Sequence, residues 1–124
     1  AALETLLQDA SKNTGVKVNS NLSDVRLPPA CELTLYRLMQ EALTNIGKHA
    51  AATNVYTEMR NQDGMVILRI RDDGKGFDPA STPIASHGLF GMRFRIEEAG
   101  GSFTVNSRSG AGTYIEARLP ELRE

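Results

Sequence analysis

The chain has 124 residues, 40% of them hydrophobic and 23% charged, with a formal net charge of -1. That length suits one domain burying about two thirds of its unfolded surface, and the composition excludes both a disordered chain and a binder that selects nucleic acid by bulk positive charge. No run approaches the roughly 18 to 20 apolar residues of a membrane span and no basic-then-apolar signal pattern opens the chain. The single cysteine, Cys31, excludes an internal disulfide and, with only His49 and His87 beside it, a zinc site. The expected organisation is one domain over residues 1–124, cut from a longer protein, because the chain starts at Ala1 without a methionine.

Leu3, Leu6, Leu7 and Ala10 recur at helical spacing, and Gly15 stands where a left-handed stop would follow. Val16, Val18, Ser20 and Leu22 then alternate with polar residues, the period of a half-buried strand. From Pro29 to Ala50, Leu35, Leu38, Met39, Ala42, Leu43 and Ile46 fall on one face of a long helix. Val55, Thr57 and Met59, the turn Gln62-Asp63-Gly64, and Val66, Leu68 and Ile70 predict a β-hairpin. Asp72 to Gly91 breaks every period, carries Pro79 and Pro83, and is expected to be a long loop of the kind that forms functional lids. A helix is predicted over Leu89 to Ala99, ended by Gly100-Gly101, and two strands over Ser102 to Arg108 and Thr113 to Leu119, joined at Ser109-Gly110-Ala111-Gly112. This order predicts an α+β domain, a two-layer α/β sandwich with a mixed sheet of about five strands and about three helices on one face, rather than a parallel βαβ alternation.

Neither G-x-G-x-x-G nor G-x-x-x-x-G-K-[ST] occurs, so any nucleotide site needs another design. Glu41, Asn45, Lys48 and His49 lie at i, i+4, i+7 and i+8 of the long helix and share one side of it. Such a group supplies oxygens for a magnesium ion and an ammonium for a phosphate, although a solvated helix face has the same composition. Asp72-Asp73-Gly74-Lys75-Gly76 follows the strand ending near Ile70. A carboxylate there would accept the exocyclic amine of adenine, and Asp-Gly is equally a common turn pair. Gly88-Leu89-Phe90-Gly91-Met92 places two glycines where the next helix is expected to start, and free amides at a helix N-terminus attract phosphate; a plain loop-to-helix joint reads the same way. Gly110-Ala111-Gly112-Thr113 is most simply a hairpin turn whose hydroxyl is also suited to a phosphate. No Ser-His-Asp or Cys-His arrangement is visible, so covalent catalysis by this chain is not expected.

The order and spacing of these strings are more specific than any one of them. E-x-x-x-N-x-x-K-H on a helix, D-x-G-x-G after a strand, G-L-x-G-M and then G-x-G-T resemble the ATP-binding domain of histidine kinases, in the GHKL superfamily shared with gyrase, the 90 kDa heat-shock chaperones and MutL. Arg26-Leu27-Pro28-Pro29, Leu35-Tyr36-Arg37, Gln40 to Asn45 and Lys48-His49-Ala50 are similar to the nitrate/nitrite-sensor subfamily. The resemblance implies the Bergerat fold and ATP with Mg2+ as cofactors. It implies that Asn45 ligates magnesium, that Glu41 assists the metal or a catalytic water, and that Lys48 and His49 lie near the phosphates. Asp72 would read adenine beside Gly74 and Gly76, Phe77 to His87 would form a mobile lid, and Gly88, Leu89, Gly91 and Met92 would close it. Gly112 and Thr113 would lie on the adenine side.

Orthodox kinases carry Asn where Glu41 stands, which leaves open whether Glu41 acts as a base or orients water. No histidine precedes His49, so the resemblance places the phosphoacceptor on a separate dimerisation domain. The implied partners are that domain and a response regulator with a helix-turn-helix output domain, with no direct nucleic-acid contact and a homodimeric full-length protein. The implied location is a cytoplasmic domain of a protein attached to the inner membrane. A nucleotide-sensing scaffold, or a superfamily ATPase or serine kinase, would share the same pocket.

Overall fold

The computed structural model describes residues 5–9, 12, 17–45, 54–74, 83–107 and 112–121. Helix α1 covers residues 5–9, followed by β1 (Lys17–Leu22), α2 (Pro29–Asn45), β2 (Asn54–Gln62), β3 (Met65–Asp72), α3 (Pro83–Glu98), β4 (Ser102–Ser107) and β5 (Thr113–Pro120). The strands form one mixed sheet in the order β1-β2-β3-β5-β4. β1 runs parallel to β2 and the other three pairings are antiparallel. The sheet therefore contains one βαβ unit, β1-α2-β2, and two antiparallel hairpins, β2-β3 and β4-β5, joined side by side through β3 and β5 with β4 at the edge.

Local chemistry accounts for the elements. Pro29 occupies the first helical position, where its missing N–H costs nothing, and the Cys31 and Glu32 amides close the first turn on the Pro28 carbonyl at 2.9 and 3.0 Å. Glu32 complements the positive helix end. Between β2 and β3, Asp63 and Gly64 have φ of 54° and 79°, the backbone of a two-residue hairpin whose twist matches the flanking strands. α3 ends in a paired motif: the Gly100 N–H donates to the Glu97 carbonyl at 3.0 Å and the Gly101 N–H to the Ile96 carbonyl at 2.9 Å, with Gly100 at φ 88°. A side chain at residue 101 would run into the Arg118 carbonyl, so that joint requires the second glycine too.

The core lies between the helices and one face of the sheet. Leu38 and Met39 of α2 and Ile96 of α3 are fully buried against Val55, Leu68, Ile70 and Leu119. Each such side chain contributes about 1.5 to 3 kcal/mol through the area it removes from water. The α+β class, the five strands and the helical layer agree with the sequence expectation.

The segment before Gly91 differs. The long loop was expected to run to Gly91 and the helix to begin at Leu89, but α3 begins at Pro83 and takes in Gly88, Leu89, Gly91 and Met92. The sequence signal for this start is Thr82-Pro83, a capping residue followed by a proline suited to the first turn. Two helix-weakening glycines, about 1 kcal/mol each, masked it. His87, placed in the expected lid, is thus in the helix. The long helix is described to Asn45; Lys48, His49, Gly76 and the lid residues 77–82 lie outside the described residues. No described helix is long and apolar enough to cross a membrane.

Candidate functional site

Asp72 is the last residue of β3 and has the same side parity as Leu68 and Ile70, so its carboxylate is directed to the core face. It is 4% exposed. The Gly74 N–H donates to Asp72 Oδ1 at 2.8 Å, an Asx turn, as the turn reading of this string expects. A second donor is the Thr113 N–H, from the residue paired with Asp72 across the β3–β5 ladder. Burial holds the carboxyl above its ordinary range. The Gly74 bond opposes that shift, the neighbouring Asp73 charge adds to it, and the Thr113 bond again opposes it. No cation is among these causes. A carboxylate has about four lone-pair positions, of which these amides use two, so Asp72 retains acceptor capacity for a donor arriving from outside.

Gly112 adjoins this group. Its φ is 79°, and a Cβ there would collide with the Asp72 carbonyl oxygen and lie 3.2 Å from the Asp72 carbonyl carbon. Only glycine meets both demands. The fold thus brings Asp72, Gly74, Gly112 and Thr113, which come from two separated motifs, into one cluster at the shared ends of β3 and β5.

The helical candidates are placed by their elements. Glu41 is half-buried in the last turns of α2, and Asn45 is its final residue, one turn further on. Gly91 is exposed on α3, and among the described residues an added Cβ there would meet nothing within 4 Å. Met92, the next residue, packs against the core. Gly88 and Leu89 lie in α3 itself, not at its N-terminal amides, so the expected phosphate-attracting helix end does not coincide with them.

The profile of the histidine kinase-, DNA gyrase B-, and HSP90-like ATPase family matches residues 30–123. The chain belongs to this family. The sensor protein VraS of Staphylococcus haemolyticus (strain JCSC1435) is 37% identical over 122 residues, covering 98% of this chain and 35% of that protein. VraS of Staphylococcus aureus (strain COL) is 36% identical over the same length and shares. The chain thus spans about a third of the curated relatives it matches. Among solved structures, the histidine kinase domain of the Erythrobacter litoralis EL346 blue-light activated kinase superposes with a TM-score of 0.79 at 22% identity, over 96% of this chain and 59% of that one. The mycobacterial sensor histidine kinase MprB gives 0.77 at 19% identity, over 99% and 94%. Both likenesses establish the shared fold.

Members of this family bind ATP. Among the described residues no group of three His, Cys, Asp or Glu side chains is placed to hold a metal alone. Magnesium is ordinarily held through one or two protein oxygens together with phosphates and water. Glu41 and Asn45, four residues apart on α2, are the side-chain types for it.

The opposite sheet face carries different chemistry. Glu116 Oε1 accepts from Arg69 Nε at 2.9 Å and from Tyr114 Oη at 2.9 Å, and its Oε2 accepts from Arg118 Nε at 3.0 Å. Arg69 Nη1 also reaches Glu58 at 3.1 Å. The Arg69 bond, the largest influence, holds the Glu116 carboxyl below its ordinary range. Beside it, Arg71 lies over the Tyr56 ring, 5.2 Å from the centroid, at a shallow depression of about 400 Å³. Sequence reading did not single out this network: its members are ordinary alternate residues of strands and become neighbours through register alone.

Proposed function

We propose that this chain binds ATP with magnesium and presents the γ-phosphate to a histidine on a separate helical dimerisation domain of a longer sensor kinase. The observation that carries this reading is Asp72, a buried carboxylate with two backbone donors, spare acceptor capacity and, among the described residues, no cation beside it. A group held in that state at a strand end is costly to the fold and suited to a ligand with an N–H donor, as the exocyclic amine of adenine is. Gly112 lets β5 close against Asp72, and Gly91 leaves room on α3 for a polyphosphate. Lys48, His49, Gly76, Gly88 and Leu89 complete the proposed site on the strength of the family motif.

Asn45 would hold magnesium with Glu41 assisting; the ion would supply charge neutralisation between the phosphates. The protein's part is otherwise positioning: Asp72 fixes the base, the cationic Lys48 steadies the phosphates, and the glycine motif permits close approach. The acceptor histidine nitrogen forms its bond to the γ-phosphorus in line with departure of the β–γ bridging oxygen, and ADP leaves. The phosphoryl group then passes to an aspartate of a response regulator. The motif wording from Arg26 to Ala50 supports placement near the nitrate/nitrite sensors, with a homodimeric full-length protein attached to the inner membrane.

The test is calorimetric titration with ATP and GTP, each with and without Mg2+, for the wild-type chain and for Asn45→Ala. Selective, magnesium-strengthened ATP binding that loses its magnesium sensitivity in Asn45→Ala is expected. Equal binding of GTP would sink the Asp72 assignment, and magnesium strengthening retained in Asn45→Ala would sink the metal assignment. With a dimerisation domain added, phosphohistidine is the expected product; free phosphate alone would make the chain a hydrolase.

A further inference from the structure

Asn54 and Asp73 face one another one step beyond the last rung of the β2–β3 ladder, where Val55 pairs with Asp72. Three hydrogen bonds join them. The Asp73 N–H donates to the Asn54 carbonyl at 3.2 Å, the Asn54 N–H donates to Asp73 Oδ1 at 2.9 Å, and Asn54 Nδ2 donates to Asp73 Oδ2 at 3.0 Å. In a continuing antiparallel ladder the Asn54 N–H would bond the backbone carbonyl of its partner. Here the partner's carboxylate takes that place. The ladder is capped at this point, and the chain turns out of β3 between the Asp72 side chain and the Gly74 amide that bonds it.

We infer that Asn54 and Asp73 are positioning residues for Asp72: their three-bond clamp sets how the chain leaves β3 and so holds the Asp72 carboxylate and the Gly74 N–H in the orientation that recognises adenine. This rests on the ATP reading above. Asn54 holds the Asp73 N–H and both Asp73 carboxylate oxygens, so the peptide joining residues 72 and 73 and the Asp73 side chain cannot turn without breaking bonds, two of them charge-assisted. The Asp72–Gly74 bond closes over that held residue. Asp73 also places a second negative charge beside Asp72, which sharpens the demand of Asp72 for an incoming donor. A staple that merely tied two strand ends together would affect stability alone. A clamp that aims Asp72 affects the choice between ATP and GTP.

The experiment titrates the wild-type chain, Asp73→Ala, Asp73→Asn and Asn54→Ala with ATP and with GTP, and measures hydrogen exchange of the Gly74 amide in each without nucleotide. Asp73→Ala is expected to lose about ten-fold in ATP affinity, to bring the ATP-to-GTP ratio towards one, and to speed Gly74 exchange at least several-fold. Asp73→Asn keeps an oxygen for the Asn54 N–H, and Asn54→Ala keeps that N–H itself, so both should lose less; they carry the comparison if Asp73→Ala does not fold. A wild-type nucleotide ratio together with wild-type Gly74 exchange in these variants would overturn the clamp. If the wild-type chain bound no ATP, the functional reading would fall, and Gly74 exchange alone would decide the clamp: accelerated supports it, unchanged overturns it.

Discussion

Asp72 and Glu116 are carboxylates on neighbouring strands of one sheet, and they are held in opposite ways. Asp72 points to the core face, where burial pushes its carboxyl up and only backbone amides offset the cost. Glu116 points to the outer face, where Arg69, Tyr114 and Arg118 hold its carboxyl down. The difference separates two uses of a charge. Glu116 is complete as it stands, its oxygens occupied by three side chains of the same sheet. Asp72 keeps acceptor capacity unused by the described residues around it, which the proposed function assigns to a ligand.

The comparison can be broken most directly at Gly112. Gly112→Ala puts a methyl into the Asp72 backbone at a positive φ, and denaturant unfolding should show a loss of about 3 kcal/mol. A loss below about 0.5 kcal/mol would mean that β5 does not need that close approach.

The two carboxylates should also give opposite pH slopes. For Asp72 the folded pKa lies above the unfolded one, so its ionisation costs stability as pH rises from about 4 through the folded value. Asp72→Asn should remove that step. For Glu116 the folded pKa lies below the unfolded one, so its contribution is present above about 4.5 and lost as pH falls through the folded value. Glu116→Gln should cost about 1 kcal/mol near neutral pH, a modest figure because Arg69 and Arg118 are partly exposed. That loss should disappear in acid, and ATP affinity should not change. Unfolding midpoints recorded from pH 3 to pH 7 check both slopes, and slopes of the same sign for the two variants would dissolve the contrast. The smallest effect is expected at Gly91. Gly91→Ala should stabilise the fold by up to about 1 kcal/mol, since the new Cβ meets nothing within 4 Å among the described residues, yet weaken ATP binding by occupying space the proposed site uses. Unchanged ATP affinity there would remove Gly91 from the site.

The helix over Pro29 to Asn45, the Asp63-Gly64 hairpin and the double-glycine stop at Gly100-Gly101 were legible because each depends on neighbours within about five residues along the chain. The start of α3 was misplaced because the helix-weakening glycines at 88 and 91 outweighed the Thr82-Pro83 start signal in a local reading. Asp72, Gly74, Gly112 and Thr113 were each visible as motif residues, but that Gly112 must be glycine because of the Asp72 carbonyl is a statement about two strands, not one string. Asn54 was not singled out, since a strand-opening asparagine has no distinguishing period.

The sequence by itself determined the order of the elements, the α+β class and the family, though not where α3 begins, because hydrophobic period, turn chemistry and motif spacing are all written along one dimension. Tertiary structure decided which carboxylate is satisfied and which is left waiting. Both strands alternate their side chains, and only the pairing of β3 with β5 and the helical cover over one face put Asp72 in a buried site and Glu116 among arginines.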